Sequence, residues 1–411
     1  MAANSHWRLL NQRLGPFLGL IVIFVIGIIL NGDTFLNIYN QLNVLGRVSI
    51  IALPAVGMTL VILTAGIDLS VGSMVSLASV VCAMLLMERD WTRATSLALP
   101  IYFVFIFIAG YYVVRKATRR LDAKKSWSVI TGIAGGLIVA VTMVYWTYPQ
   151  VSTGFGTLSV LIIVPVLGLF LGALNGIIIA KGKIQPFIVT LGMMSSAVGL
   201  AKFIAGKGGQ IHPIYFQSVG MTAGGKVAPE SFDVLSSKIS LFGVKLFPVA
   251  GLFFLCSVII IYFVLTRLKF GRYVYAIGGN EETARLSGIN VDRVKTIVYA
   301  IAGGLSALAG VLYCSAYTQG KADAGITWEL DAIAAVVIGG TSLMGGKGTV
   351  VGTMVGVLIL GYLGNILNLQ EVSSEVQDIL KGVIIVGAVL LQEGIFARWM
   401  RAFLKKIKDE E

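Results

Sequence analysis

"PFLGLIVIFVIGIILN", residues 16–31, contains no charged side chain and no alternation of polar and apolar positions. Such a run is typical of a transmembrane helix, because a barrel strand would alternate. The sequence that follows is polar and has no small-residue cleavage site, so we expect an anchor rather than a removed signal peptide. Backbone groups in lipid must satisfy their own hydrogen bonds, which makes a helix the expected element.

The same pattern recurs along the 411 residues, of which 56% are hydrophobic and only 13% are charged. Soluble domains carry roughly 25% charged residues. We predict an all-α, polytopic helical membrane protein, with a single transmembrane domain over residues 1–411. About twelve crossings are predicted, at 16–31, 43–64, 71–87, 95–114, 129–148, 157–180, 187–205, 246–266, 296–318, 331–345, 349–367 and 378–396.

Lysine and arginine side chains set the expected orientation, because they concentrate on the cytoplasmic side of membrane proteins. With a cytoplasmic N-terminus, 22 of the 32 basic residues fall on the inner side. This bias predicts that both termini, the loop 115–127 and the segment 267–295 are cytoplasmic, and that 206–245 is a periplasmic loop. It also accounts for the net charge of +12 without a nucleic-acid partner.

A weak internal repeat relates "VILTAGIDLSVGSMVSLASVV" (61–81) to "VVIGGTSLMGGKGTVVGTMVG" (336–356). Each copy predicts an apolar helix that ends in an elbow of Gly, Ser and Thr, followed by a helix rich in small residues. Broken hydrophobic segments at matching positions of two halves indicate the transport pathway in many transporters. The alternative is that small residues simply allow membrane helices to pack closely.

The sequence offers no catalytic or nucleotide-binding pattern. "GGTSLMGGKGT" (339–349) is not a phosphate loop, because Lys347 is followed by Gly348 rather than by Ser or Thr. We therefore expect no enzyme activity, no cofactor bound by this chain and no metal site. Any ATP would be used elsewhere.

Asp68, in "AGIDLSVGS", is the most notable acidic residue within the apolar segments. Its carboxylate is expected either to cap a helix that begins near Leu69 or Ser70, or to contact a solute directly. Ion-coupled carriers usually bury several carboxylates or a histidine relay in the membrane. An ion-driven carrier therefore stays an alternative, and a single carboxylate is little support for it.

The stretch "YAIGGNEETARLSGINV" (275–291) encodes a short polar helix between two apolar spans. Its signals are an N-cap residue, an acidic first turn, a basic residue one turn later and a terminating glycine: Asn280, Glu281, Glu282, Arg285 and Gly288. About two turns of helix are not stable alone in water. The stretch therefore predicts either a helix that docks on a partner or a generic cytoplasmic loop.

Four motifs resemble the permeases of bacterial ABC monosaccharide importers for ribose, xylose and galactose or methyl-galactoside. They are "TAGIDLSVGS" (64–73), "GALNGIIIAKGKIQPFIVTLGMM" (172–194), "GRYVYAIGGNEETARLSGINV" (271–291) and "ELDAIAAVVIGGTSLMGGKGTVVGT" (329–353). The resemblance covers roughly 40–87 and 157–396. Residues 88–156 then look like an inserted helix pair, which leaves about ten crossings as the family core.

The resemblance implies a permease subunit in the bacterial inner membrane that pairs with a second copy of itself. A periplasmic or lipoprotein binding protein would deliver the monosaccharide, and a separate cytoplasmic ATPase would use ATP-Mg. Nucleoside and autoinducer ABC importers share the architecture and remain alternatives. The implied ATPase-coupling residues are Asn280, Glu281, Glu282, Thr283, Ala284, Arg285, Leu286, Ser287 and Gly288, with Ala284 expected to be the small residue that a close-fitting groove requires.

An uncharged sugar needs weak and replaceable hydrogen bonds along its route. Polar residues in the broken or polar-spotted helices are candidates for this pathway: Asp68, Ser70, Ser73, Asn175, Gln185 and Thr190. The alternative is that these side chains form hydrogen bonds between helices, which is their commoner use in membranes.

The predicted topology can be tested with a membrane-impermeant thiol reagent on intact cells, in a background free of the three native cysteines. We expect cysteines at Arg120 and Thr283 to resist labelling because both positions are predicted to be cytoplasmic. A cysteine at Gly225 should be labelled. Labelling at Thr283 would contradict both the topology and an ATPase-docking role for 267–295.

Overall fold

The computed structural model of the chain describes residues 2–88, 91–120, 125–147, 155–206, 211–216, 227–241 and 244–392. The basic tail from Arg398, predicted to be cytoplasmic, lies outside the described residues. The same holds for the end of the predicted crossing 378–396 and for parts of the loops 115–127 and 206–245.

The described residues are mainly helical, as predicted. The helices are α1 (Ala2–Leu36), α2 (Ile38–Leu63), α3 (Val71–Met87), α4 (Arg93–Arg120), α5 (Lys125–Thr147), α6 (Thr157–Gly182), α7 (Pro186–Ala205), α8 (Glu230–Asp233), α9 (Val249–Arg267), α10 (Lys269–Gly279), α11 (Glu281–Leu286), α12 (Val291–Tyr317), α13 (Trp328–Ile338), α14 (Val350–Leu369) and α15 (Ser374–Gln392). Four short strands accompany them: β1 (Ile211–Pro213), β2 (Lys238–Leu241), β3 (Val244–Pro248) and β4 (Gln319–Lys321).

Nine helices of the described part are long and apolar enough to cross a membrane. They are α1, α2, α4, α5, α6, α7, α9, α12 and α14. Their exposed side chains are themselves large hydrophobic residues, such as Ile29, Ile259 and Ile138. Because water would disfavour such a surface and lipid accepts it, the chain is a multi-pass membrane protein.

Helix α13 is shorter than the continuous helix predicted for the crossing 331–345. It contains 11 residues, and at 1.5 Å per residue its length is about 16 Å, roughly half of the hydrocarbon thickness of about 30 Å. The following segment, 339–349, is not helical. Five glycines in that segment weaken its helix propensity, which ends α13 early.

Unit 1 is one of two compact units, and it comprises Met1–Asp68, Lys238–Lys295 and Thr327–Glu411. Helix α2 lies at its centre and packs against α9, α13 and α14, while α14 also packs against α1. The hydroxyl groups of Thr59 and Thr353 share a buried hydrogen bond of 2.7 Å that joins α2 to α14. Strands β2 and β3 form an antiparallel pair that precedes α9.

Unit 2 comprises Leu69–Ser237 and Thr296–Ile326. Helix α3 packs against α6, α7 and β4, and β4 pairs antiparallel with β1. Helices α4 and α5 pack along each other, so residues 88–156 contain the predicted helix pair. That this pair is an insertion relative to a family core remains a prediction.

The two copies of the sequence repeat have the same local architecture. The first runs from α2, which ends at Leu63, to α3, which begins at Val71. The second runs from α13, which ends at Ile338, to α14, which begins at Val350. In both copies an apolar helix ends in a non-helical elbow and a second helix follows, as the repeat predicts.

Candidate functional site

Helix α11 forms where the cap signals place it. The Asn280 side chain accepts a hydrogen bond of 2.8 Å from the Thr283 backbone N–H, which satisfies one of the free donors of the first turn. At the other end Gly288 has a φ of +83°, in the left-handed region where glycine is favoured. Both predictions from the sequence, the N-cap and the terminating glycine, are confirmed.

Four charged side chains tie α11 to the first turns of α12. Arg285 forms the predicted i,i+4 pair with Glu281, at 3.5 Å, and a closer pair with Asp292, at 3.0 Å. Lys295 pairs with Glu281. The hydrogen bond and charge of Asp292, followed by those of Glu281, raise the pKa of the Arg285 guanidinium. Surface pairs of this kind contribute little each, so they orient α11 more than they stabilise it.

The two faces of α11 differ in exposure. Ala284 is 4% exposed, whereas Leu286 is 85% exposed. The expectation that Ala284 faces a partner's groove is therefore corrected, because its methyl group is buried within this chain. The remaining exposed positions of the predicted coupling set include Glu282, Thr283 and Ser287. The outward side of α11 thus consists of one large apolar side chain among polar ones.

Helix α10, which leads into α11, contacts both elbows. Gly278 is buried where any side chain would overlap the Leu63 carbonyl oxygen and the Gly346 amide nitrogen. Those two groups are themselves joined by a hydrogen bond of 3.0 Å. The Tyr275 hydroxyl donates to the Gly348 carbonyl at 2.9 Å. Sequence reasoning missed this junction, although the repeat had marked both elbows.

Three of the predicted pathway residues are joined by hydrogen bonds in unit 2. The Asn175 amide donates to the Ser70 hydroxyl at 3.0 Å, which links α6 to the N-terminus of α3. The Ser73 hydroxyl donates to the Ser70 carbonyl at 2.7 Å. All three residues are buried. These bonds match the alternative in which polar side chains hold helices together, and a pathway role for them stays a prediction.

The other three predicted pathway residues lie in different environments. Thr190 is buried, and its hydroxyl donates to the Pro186 carbonyl one turn earlier, at 3.0 Å. Gln185 is exposed at the N-cap position of α7. Asp68 is fully buried, but α3 begins at Val71 with Ser70 as its N-cap residue. The helix therefore begins slightly later than the predicted start near Leu69 or Ser70.

A pocket of about 290 Å³ lies within unit 1, between α2, α13, α14 and α15, and it is called the polar pocket here after its amide and charged side chains. Apolar side chains such as Val48 and Leu360 form the rest of its lining. Its polar lining includes Asn43, Arg47, Asp331, Asn365, Asn368 and Gln377. None of these residues was predicted to form a site. One signal was present: Arg47 places a positive charge inside the predicted crossing 43–64, and charges in transmembrane segments are usually functional.

Within the described ranges, no group of three or more His, Cys, Asp or Glu side chains is arranged to hold a metal ion. The candidate site is thus made of two parts in unit 1. One is the outward face of α11 with its junction at α10, and the other is the polar pocket.

Comparison with known proteins gives consistent matches. Residues 40–389 match the family described as branched-chain amino acid transport system / permease component. The chain is 35% identical to the ribose import permease protein of Haemophilus influenzae, over 93% of each chain. It is 33% identical to the xylose transport system permease protein of Escherichia coli K12, over 86% of this chain and 85% of the relative. It is 30% identical to the galactose/methyl galactoside import permease protein of the same organism, over 93% of this chain and 95% of the relative. No solved structure matches the chain.

The junction at α10 yields a direct test of local packing. Replacing Gly278 with alanine should lower the midpoint of thermal unfolding of the detergent-purified protein, because the methyl group overlaps backbone atoms of Leu63 and Gly346. We expect a loss of about 1–3 kcal/mol, typical of overpacking. Gly279→Ala is the matched control, since a methyl group there meets no atom within 4 Å. Equal midpoints for the two variants would contradict the junction.

Proposed function

The chain belongs to the family of transport-system permease components that includes the ribose, xylose and galactose import permeases, and from this premise we propose how it works as the permease subunit of an ATP-binding-cassette importer in the bacterial inner membrane. It moves a monosaccharide through the bilayer. Because relatives of similar identity are named for three different sugars, the class of solute is assigned and the individual sugar is not.

The observation that carries the coupling proposal is the arrangement of α10 and α11. A helix of six residues does not persist alone in water. Here it is capped, held to α12 by ion pairs and set on α10, which is locked against both elbows. Leu286 points away from all of this support. Such a helix suits insertion into a groove of a separate ATPase, with its exposed residues Glu282, Thr283, Leu286 and Ser287 as the contact.

The proposed partners follow from the separation of ATP hydrolysis and sugar transport into different subunits. A cytoplasmic ATPase binds ATP-Mg and pushes α11 when it closes, and α10 passes the displacement to the ends of α2 and α14. A second copy of the chain completes the route for the sugar. A periplasmic or lipoprotein binding protein supplies the sugar at the opposite face. The assignment of both termini to the cytoplasm belongs to the same proposal and is supported by the bias of basic residues.

Two other functions are less well supported. Nucleoside or autoinducer import would use the same architecture, but the relatives compared above are named for sugars. An ion-coupled carrier would need intramembrane titratable groups. Asp68, its main candidate, lies at the elbow before α3, and the family relation points to ATP instead.

Leu286 provides the sharpest test of ATPase docking. Leu286→Asp should reduce co-purification of the ATPase and sugar uptake by about tenfold or more, because burying an unpaired carboxylate in an apolar groove costs more than the roughly 1.4 kcal/mol that corresponds to tenfold. Leu286→Met, which keeps an apolar side chain of similar volume, is the matched control. The side chain is exposed in this chain, so folding and insertion should be unchanged in both variants. Normal co-purification with Leu286→Asp would exclude α11 as the docking helix.

The source of energy gives a second test. The purified chain should hydrolyse no ATP and should not accumulate D-ribose, D-xylose or D-galactose in vesicles under a proton or sodium gradient. Accumulation should require the ATPase, the binding protein and ATP. ATP turnover by the pure chain would contradict the proposed separation of subunits, and gradient-driven accumulation would favour the ion-coupled carrier.

A further inference from the structure

The polar pocket and the α10 junction lie at opposite ends of the same two helices. Along α2, Asn43 lines the pocket and Leu63 contacts the junction, a separation of 20 residues or about 30 Å of helix. Along α14, Asn368 lines the pocket and Thr353, near the other end, bonds to Thr59 of α2. If α11 faces the cytoplasm, the pocket therefore lies toward the periplasmic side.

The pocket is framed by carboxamide side chains that orient one another. Asn40 and Asn365 exchange two hydrogen bonds, of 3.1 and 2.9 Å, between α2 and α14. Gln377 of α15 donates to Asn368 of α14 at 3.0 Å. Among the described residues, Asn40 and Gln377 use both of their amide donors, the second one on the Phe35 and Val372 carbonyls, and keep free acceptor lone pairs. Within that part of the chain, Asn365 and Asn368 keep at least one free donor as well. Sugar hydroxyl groups also combine a donor with acceptors, and this frame matches them.

The charges of the pocket are nearly balanced. Lys381 lies 3.7 Å from Asp331 and 3.3 Å from Asp378. Arg47 has no hydrogen-bond or ion-pair partner among the described residues, and it lines the pocket from α2. Its planar guanidinium carries five donors that can bind adjacent hydroxyl groups. Carboxamides are the commonest polar side chains of the lining, which suits a solute rich in hydroxyl groups, and the neutral class follows from the sugars for which the relatives are named.

The volume also suits such a solute. The pocket volume of about 290 Å³ is far above the roughly 10–15 Å³ that a single water needs, so it has room for a small solute. Asn43, Arg47 and Asn368 are exposed, so a solute can reach the pocket from outside the protein.

We propose that this pocket, lined by Asn43, Arg47, Asp331, Asn365, Asn368 and Gln377, binds the incoming neutral monosaccharide at the periplasmic end of the permease. The assignment rests on the proposed import function and gives it a site. It differs from the predicted pathway around Ser70 and Asn175, whose polar groups bond to each other in unit 2.

Gly364 allows the pocket to be filled without disturbing its walls. It lines the pocket, and a Cβ atom added there would meet no atom within 4 Å. In cells that express the chain with its ATPase and binding protein, Gly364→Leu should lower uptake of the imported sugar by about tenfold or more, the effect of losing one or two hydrogen bonds to the solute. Gly382→Leu, on α15 outside the pocket and equally free of contacts, is the matched control and should transport normally.

Chemical modification of a cysteine in the pocket after the protein has folded tests the pocket without an effect on folding. In a background without native cysteines, the uptake that remains in Gly364→Cys should fall about tenfold when a membrane-impermeant thiol reagent is added to intact cells. Gly382→Cys should show no change. Unchanged uptake after complete modification of Gly364→Cys, shown by mass spectrometry, would overturn the pocket assignment.

The outcomes distinguish a failure of the pocket assignment from a failure of the proposed import function. Tritiated D-ribose, D-xylose, D-galactose and D-galacturonate are supplied to cells with the wild-type chain. Import of a neutral sugar that survives the block at Gly364 leaves the proposed function intact and refutes the pocket. Import of D-galacturonate alone would refute the proposal that the solute is neutral, but the chain would still be a sugar importer. Failure of the complete wild-type complex to import any of the four would refute both.

Discussion

The hydrogen bond from the Gly346 N–H to the Leu63 carbonyl is the contact on which the rest of unit 1 depends. The Gly346 N–H belongs to the elbow 339–349, and the Leu63 carbonyl lies at the end of α2, directly before the other elbow. Non-helical backbone at membrane depth is tolerated only where protein satisfies it. The end of α2 satisfies part of the second elbow, and α10 packs over this contact through Gly278. Because this packing is backbone against backbone, α10 cannot shift without moving the ends of α2 and the segment 339–349.

The sequence predicted the features that depend on neighbouring residues. Hydropathy located the long helices, and the chemistry of single turns located the Asn280 cap, the Glu281–Arg285 pair and the left-handed Gly288. These rules operate within a few positions of the chain. The early end of α13 was missed, because a hydropathy average over many residues hides the glycines of 339–349 among their apolar neighbours.

Features that depend on which helices meet could not be predicted in the same way. Ala284 is buried by other residues of its own chain, and only the three-dimensional positions of those residues show this. The pocket combines residues of α2 and α15 that are more than 300 positions apart. Arg47 was the one local clue, since a lone charge in an apolar span indicates a polar cavity or partner.

The same geometry explains how a solute could be held and then released. Transport requires binding that is favourable enough to receive the solute and weak enough to let it leave. Asn40 with Asn365, and Asn368 with Gln377, already bond to each other. When a sugar departs, these half-buried or exposed carboxamides keep each other as hydrogen-bond partners. Because α2 and α14 run from this frame to the α10 junction, a displacement of α11 reaches the pocket through two continuous helices and alters the spacing of the groups that hold the sugar.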